Sequence, residues 1–219
     1  MKYALVTLCV LASLLGKSQG TEAGDITFGV GIDGGLYKTS VTQSISAGNF
    51  ELTEEIKDTA AAWFVPIHVE YCLHHLVSAG VMMKFGKYLV EEKERESQTN
   101  NAQVYGFTID FHPLKNDYFD PYVRITNGFS TLKINHVERA SNGVILTTND
   151  SKSSGYHFEI DAGIRAYFGR HIGLNIYGGY NIYNLNLKEL TINGTPNTTY
   201  KQDLVAKGAE FGMAIIGRF

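Results

Sequence analysis

Three ionisable residues alternate along one segment of the chain: His157, Glu159 and Asp161. In a β-strand, residues two apart share a face, so the imidazole and both carboxylates would lie side by side. Such a row could transfer protons or bind a metal. Acyl transfer would also require a nucleophile beside the base, and the sequence indicates no serine placed beside a base. The sequence therefore favours a structural ionic network and predicts no catalytic residue and no cofactor.

A second histidine group, His74-His75, is a weaker candidate for metal binding. Adjacent residues of a strand point to opposite faces, so the two rings would not converge on one ion. We expect no metal site in this chain.

The charged row belongs to one of eight segments in which apolar residues alternate with small or polar ones, as β-strands require. These segments cover residues 25–36, 61–73, 77–89, 104–112, 122–132, 156–168, 172–183 and 208–219. Their connections alternate between short turns (74–76, 113–121, 169–171) and long loops (39–60, 90–103, 135–155, 184–205). An even number of strands with this asymmetry is typical of an outer-membrane β-barrel.

The direction of the apolar face decides the class of barrel. In a soluble barrel of lipocalin type, the apolar residues would surround a ligand. Here the opposite face is rich in glycine, which fits a narrow lumen better than a water-facing surface. The centres of the apolar faces carry no charge, as lipid contact requires. The sequence predicts an all-β, eight-stranded, antiparallel, up-and-down transmembrane β-barrel.

The alternating polar set would then line the lumen. Acids and bases are nearly balanced, as buried charges must be. Folding the fourth and fifth segments about their turn sets Asp110 opposite Arg124 and predicts a salt bridge. We expect an ionic network that plugs the barrel and excludes a wide pore. Its predicted members are Glu70, Lys84, Asp110, Arg124, Glu159, Asp161, Arg165 and Glu210, accompanied by Asp33, Arg218, His68, His112 and His157.

The first 20 residues read as a cleaved signal peptide. A basic start, a short apolar stretch and small residues before Thr21 match that pattern. Cleavage would leave residues 21–219 as one barrel domain. It removes two lysines and no acid, so the formal charge moves from −3 to −5. This acidic balance gives no indication of nucleic-acid binding.

The last segment alternates apolar residues up to the terminal aromatic ring: Phe211, Met213, Ile215 and Phe219. Over residues 25–219 the chain resembles the small outer-membrane β-barrel family typified by OmpA and OmpX, in the form common among Bacteroidota. The resemblance is carried by the opening Phe28-Gly29-Val30-Gly31, by Asp120-Pro121-Tyr122-Val123 and by the terminal strand 211–219. It implies that the barrel-assembly machinery reads those four apolar residues as its signal. Gly217 departs from that signal, which usually has a larger apolar residue there.

The expected role is structural, adhesive or host-interacting, exercised by the long loops of a monomer in the outer membrane of a Gram-negative cell. Expected partners are outer-membrane lipids or lipopolysaccharide and an extracellular protein. Residues 143–148 and 185–192 keep strand-like composition, Asn193-Gly194 suits a hairpin turn, and the resulting edge could pair with a partner strand. A lipid-modifying enzyme, a narrow gated channel and a secreted soluble binder remain open as alternatives.

Overall fold

The computed structural model describes residues 22–47, 50–89, 96–114, 119–140, 143–169 and 171–219. The predicted signal peptide lies outside them. The described residues form strands β1 Ile26–Ala47, β2 Phe50–His74, β3 Val77–Leu89, β4 Glu96–Phe111, β5 Phe119–Arg139, β6 Ile145–Tyr167, β7 Ile172–Ile192, β8 Thr195–Pro196 and β9 Tyr200–Arg218. Among these residues, no helix is long and apolar enough to cross a membrane.

The strands close into a ring through antiparallel pairs. Each of β1 to β7 pairs with its sequence neighbours, β7 pairs with β9, and β9 returns to β1. The two-residue β8 lies outside the ring, in the connection from β7 to β9. Main-chain hydrogen bonds of 2.9 Å run in both directions between Ile26 and Phe219, so the last residue takes part in closure. The predicted all-β, eight-stranded antiparallel barrel is confirmed.

The strands are longer than predicted. Residues 39–47 and 50–60, expected as part of a loop, are strand, and β1 and β2 remain paired up to Ala47 and Phe50. The other predicted loops also contain strand, in residues 96–103, 135–139, 145–155, 184–192 and 200–205. In residues 145–148 and 185–192 the strand-like composition had indicated this continuation. Elsewhere the loop prediction was wrong because it followed the apolar alternation, whereas main-chain pairing continues where side chains turn polar.

The predicted hairpin turn at Asn193-Gly194 is present. Both residues have positive φ, 49° and 77°, and they join Ile192 to its partner Thr195. Asparagine and glycine tolerate this left-handed backbone better than other residues, which is why this pair suits a two-residue hairpin.

The apolar faces point outward. Phe211, Met213 and Ile215 on β9 are 71%, 58% and 67% exposed, whereas the preceding Glu210 is 1% exposed. Lys84 and Arg165, on β3 and β6, are fully buried in the interior. A water-soluble barrel would show the reverse arrangement.

The outward apolar band covers only about half of each long strand. On β1 it runs from Ile26 to Leu36, after which Lys38 is the next outward residue. A strand crosses a bilayer in about 9–11 residues, and β1 has 22. The remainder of the ring therefore extends beyond the band at the end opposite the short turns.

Beyond the charged part of the lumen, toward this extension, the interior is apolar. A buried cluster combines aromatic and aliphatic side chains from almost the whole ring: Tyr37, Ala62, Phe64, Ala102, Val104, Leu132, Tyr183, Leu185 and Ala206. Sequence alternation did not distinguish this layer from the charged one.

Lumenal glycines make room for large neighbours, and Gly179 offers a test. A Cβ there would collide with Oδ1 of Asp161 and the carbonyl of Ile160. We expect Gly179→Ala to lower the free energy of unfolding by about 1–3 kcal/mol, as overpacking does. Gly34→Ala is the control, because no atom lies within 4 Å of its Cβ position. Urea unfolding in detergent micelles measures both; equal stability of the two variants would contradict the packing argument.

Candidate functional site: the charged lumen

The first ionic cluster surrounds Lys84. Its ammonium lies 2.8 Å from Oε1 of Glu159 and 3.1 Å from Oδ2 of Asp33, and it also contacts Glu210. These four residues stand on four different strands, β3, β6, β1 and β9. All are buried. One cation therefore joins three carboxylates across the middle of the lumen.

Neutral donors complete this cluster. The hydroxyl of Tyr37 donates to Glu210 over 2.6 Å, and the amide of Asn181 donates to it over 3.2 Å. Tyr177 donates to Asp33. Polar donors lower the cost of holding several carboxylates near one lysine.

The second cluster lies nearer the short turns. Arg124 donates to Asp110 through Nε and Nη2, at 2.9 and 2.8 Å, and Arg165 donates to Glu70 at 2.7 Å. Arg124 also contacts Glu70, and Arg165 contacts Asp110. The ring of Tyr122 lies 5.1 and 4.4 Å from the two guanidinium carbons. Two arginines thus share two carboxylates, and Asp110 and Arg124 meet at the register expected from their turn.

The row of His157, Glu159 and Asp161 lies in the interior as the alternation indicated. Nε2 of His157 is 2.9 Å from the amide oxygen of Asn181 and 3.4 Å from Oε2 of Glu159. The side chains of this row are at most 3% exposed. The imidazole of His157 and the carboxylate of Glu159 therefore contact each other inside the barrel.

The expectation that no serine lies beside a base is wrong. Ser78 Oγ lies 3.0 Å from Nε2 of His112, and Nδ1 of His112 lies 2.7 Å from Oδ1 of Asp120. Ser78 belongs to β3, His112 follows β4 and Asp120 belongs to β5. Sequence spacing cannot reveal such a group, because three strands bring it together. All three side chains are buried.

Asp120 is a lumenal acid that sequence reasoning assigned to a turn. It is 3% exposed, and its Oδ2 lies 3.8 Å from Arg165. Its position was available in the sequence, because it alternates with Tyr122 and Arg124, which face the same way.

Two further predictions, the assembly signal and the His74-His75 pair, concern residues away from the lumen. The predicted assembly residues, Phe211, Met213, Ile215 and Phe219, all point outward from β9 or its end. The rings of His74 and His75 lie side by side at the β2–β3 turn, 3.9 Å apart, and not on opposite faces, since only His74 is in a strand. Within the described ranges, no group of three or more His, Cys, Asp and Glu residues is arranged to hold a metal ion.

Comparison with solved structures supports the fold. The outer membrane protein OprG from Pseudomonas aeruginosa aligns with a TM-score of 0.55 and 10% identity, covering 93% of this chain and 99% of that one. The outer membrane protease OmpT from Escherichia coli aligns with a TM-score of 0.50 and 9% identity, covering 94% and 100%. The fold is that of an outer-membrane β-barrel. No family model matches the sequence, and no curated protein matches it.

Proposed function

We propose that this protein is an integral barrel of the outer membrane, with a plugged lumen and no enzymatic activity, that acts through the part of its wall beyond the membrane. The observation that carries the proposal is the inside-out surface: large apolar residues face outward while charged ones are buried. Water would not stabilise such a surface, whereas lipid would.

Membrane residence is tested with the purified full chain. The folded barrel should require detergent and should migrate differently on gels before and after boiling. A chain that stays monodisperse in water without detergent would overturn the proposal. Removal of residues 1–20 on export is read from the N-terminal sequence of the mature protein.

Two layers support the plugged lumen. The ionic clusters occupy the part nearer the short turns, with Lys84, Arg124 and Arg165 at most 2% exposed. The apolar cluster around Tyr37 and Phe64 fills the next part. Small barrels of eight strands are just wide enough for their own side chains.

A plugged barrel should not conduct. We expect the wild-type protein in planar bilayers to show no steady ion current above that of protein-free membranes. The double variant Phe64→Ala/Tyr37→Ala would thin the apolar layer while leaving Lys84 in place. This variant is the positive control, in which an ion current is expected. Steady conductance by the wild type would instead favour the narrow channel.

The extended wall is the proposed contact surface for an extracellular protein. The edge first expected at residues 185–192 is partly covered, because Leu190 accepts a hydrogen bond of 2.8 Å from Asn197 and Thr191 pairs with Pro196. Leu187 and the adjoining part of β7 lie past the last pair with β9, Asn186 with Asp203. Binding of partner protein to whole cells, unchanged after deletion of residues 187–200, would remove this surface from the proposal.

A lipid-modifying hydrolase is the second candidate, because Ser78, His112 and Asp120 have the relative geometry of a nucleophile, base and orienting acid. Burial of the serine opposes it. A fluorophosphonate probe that labels the folded wild type, but not Ser78→Ala, would establish the enzyme. Absence of labelling would mean that Ser78, His112 and Asp120 serve only as part of the plug.

A further inference from the structure

Lysines follow the apolar band around the outer wall. On β1, β2, β3, β5, β6 and β9, the first charged outward residue beyond the band is a lysine: Lys38, Lys57, Lys87, Lys133, Lys152 and Lys207. On β2 and β6 the outward acids Glu55 and Asp150 lie farther from the band than these lysines, whereas Glu189 of β7 is level with its ladder partner Lys152. This order of apolar residue, then cation, matches the profile of a phosphorylated lipid, whose acyl chains end at an anionic headgroup.

Three of these lysines border one groove. A cavity of about 500 Å³ on the outer wall is lined by Lys38, Lys57 and Lys207, with Ser40, Thr59 and Tyr180 beside them. One acid, Asp58, also lines it. The exposed apolar side chains of Leu36 and Phe211 lie two residues from Lys38 and four from Lys207, toward the band. Cations and an apolar wall are therefore continuous at this place.

Two of these lysines destabilise the sheet by their mutual repulsion. Lys38 and Lys207 are direct cross-strand partners of the β1–β9 ladder, and both are exposed. Like charges at directly opposed positions destabilise a sheet. Neither lysine has an ion-pair partner among the described residues. An anion placed between the two ammonium groups would remove this repulsion.

The third lysine is partly engaged. Lys57 lies 3.2 Å from Glu55, and Ser40 donates to the same carboxylate over 2.8 Å. The Ser40 hydroxyl and, after it, Lys57 hold the pKa of Glu55 below its ordinary value, so this carboxylate stays charged at neutral pH. Glu55 thus competes for Lys57, while Lys38 and Lys207 remain available.

We infer that this groove binds the phosphate group of an outer-leaflet lipid, whose acyl chains lie along the apolar residues below it. The inference rests on the proposed membrane residence and names the lipid chemistry recognised there. A comparable groove of about 600 Å³ contains Lys87, Lys133 and Lys152, but Asp150 and Glu189 line it too, and Lys152 lies 3.1 Å from Glu189. The groove at Lys38 has the larger excess of positive charge.

The test measures lipid binding by the full chain in detergent micelles, using lipid A with its phosphates, the same lipid dephosphorylated, and inorganic phosphate. We expect the triple variant K38Q/K57Q/K207Q to bind the phosphorylated lipid about a hundredfold more weakly than wild type, since each lysine near a membrane surface contributes roughly fivefold. The control K188Q/R139Q/K201Q removes the same charge from exposed positions outside both grooves and should bind as wild type does.

Each other outcome overturns the inference. Unchanged binding by the triple variant, or an equal loss in the control, would show that the groove is not the site. Competition by inorganic phosphate as effective as that of the lipid would assign the groove to free anions.

The single variant Lys38→Gln should have unchanged or higher stability than wild type without phosphorylated lipid. Adding the phosphorylated lipid should raise its melting temperature less than that of wild type. Heat-modifiable migration of each variant reports the barrel separately, so failure of binding and failure of membrane folding are distinguishable.

Discussion

Replacing Lys84 by methionine is expected to prevent accumulation of the folded barrel at neutral pH. The ammonium is the shared partner of Asp33, Glu159 and Glu210, all of them buried. Removing one member of a buried ionic group costs about 3–5 kcal/mol, because its partners keep their charge without compensation. Here three carboxylates lose their common cation. This loss would remove most of a free energy of unfolding of about 5–15 kcal/mol, the range usual for proteins.

The measurement is refolding from urea into micelles, followed by heat-modifiable migration and the fluorescence of Trp63, the chain's one tryptophan. Lys87→Met, three residues farther on the same strand, removes an exposed outward lysine and should refold normally. Adding Glu159→Gln and Glu210→Gln to Lys84→Met should restore part of the yield, because two uncompensated charges disappear. Normal refolding of Lys84→Met alone would contradict the ionic account of the lumen.

An arginine in the centre of the apolar band should be nearly as damaging. Ile176 on β7 is 57% exposed and lies between Ile164 of β6 and Met213 of β9 in the ladder. A charge facing lipid at the midplane costs about 2–4 kcal/mol. We expect Ile176→Arg to lower the free energy of unfolding in lipid vesicles by that amount, as measured by urea titration.

Asn184→Arg is its matched control. Asn184 is exposed on the same strand, eight residues farther from the short turns, where the outward face has become polar. Near the interface the cost falls to about 0–1 kcal/mol. Were the apolar face in water, both substitutions would be close to neutral, within about 0.5 kcal/mol. Equal stability of the two variants would therefore exclude a lipid-facing band.

The faces of the strands could be read from the sequence with few errors. Ile160 and Glu159, or Ile109 and Asp110, are assigned to opposite sides by their position alone, and the structure agrees. The pairing of Asp110 with Arg124 was also accessible, because a short connection fixes the register of its hairpin.

The lengths of the strands could not be read in the same way. Residues 51–60 are mostly polar or charged, with Glu51, Glu54, Glu55 and Asp58 among them, and give no apolar alternation. They form strand because β1 offers a paired edge up to Ala47, the partner of Phe50. Main-chain hydrogen bonds do not require an apolar face, so the signal used for prediction ended where the lipid contact ended.

Which side chains face outward and which face the lumen follows from the order of the residues, because the period of a strand is two and depends only on local geometry. Tertiary structure decided which lumenal residues meet. Lys84 contacts residues of β1, β6 and β9, and Ser78 contacts His112 at the end of β4, because strand tilt and ring closure set the level of each residue along the barrel axis. The same closure brings Lys38 and Lys207, 169 positions apart in the sequence, into one cross-strand pair.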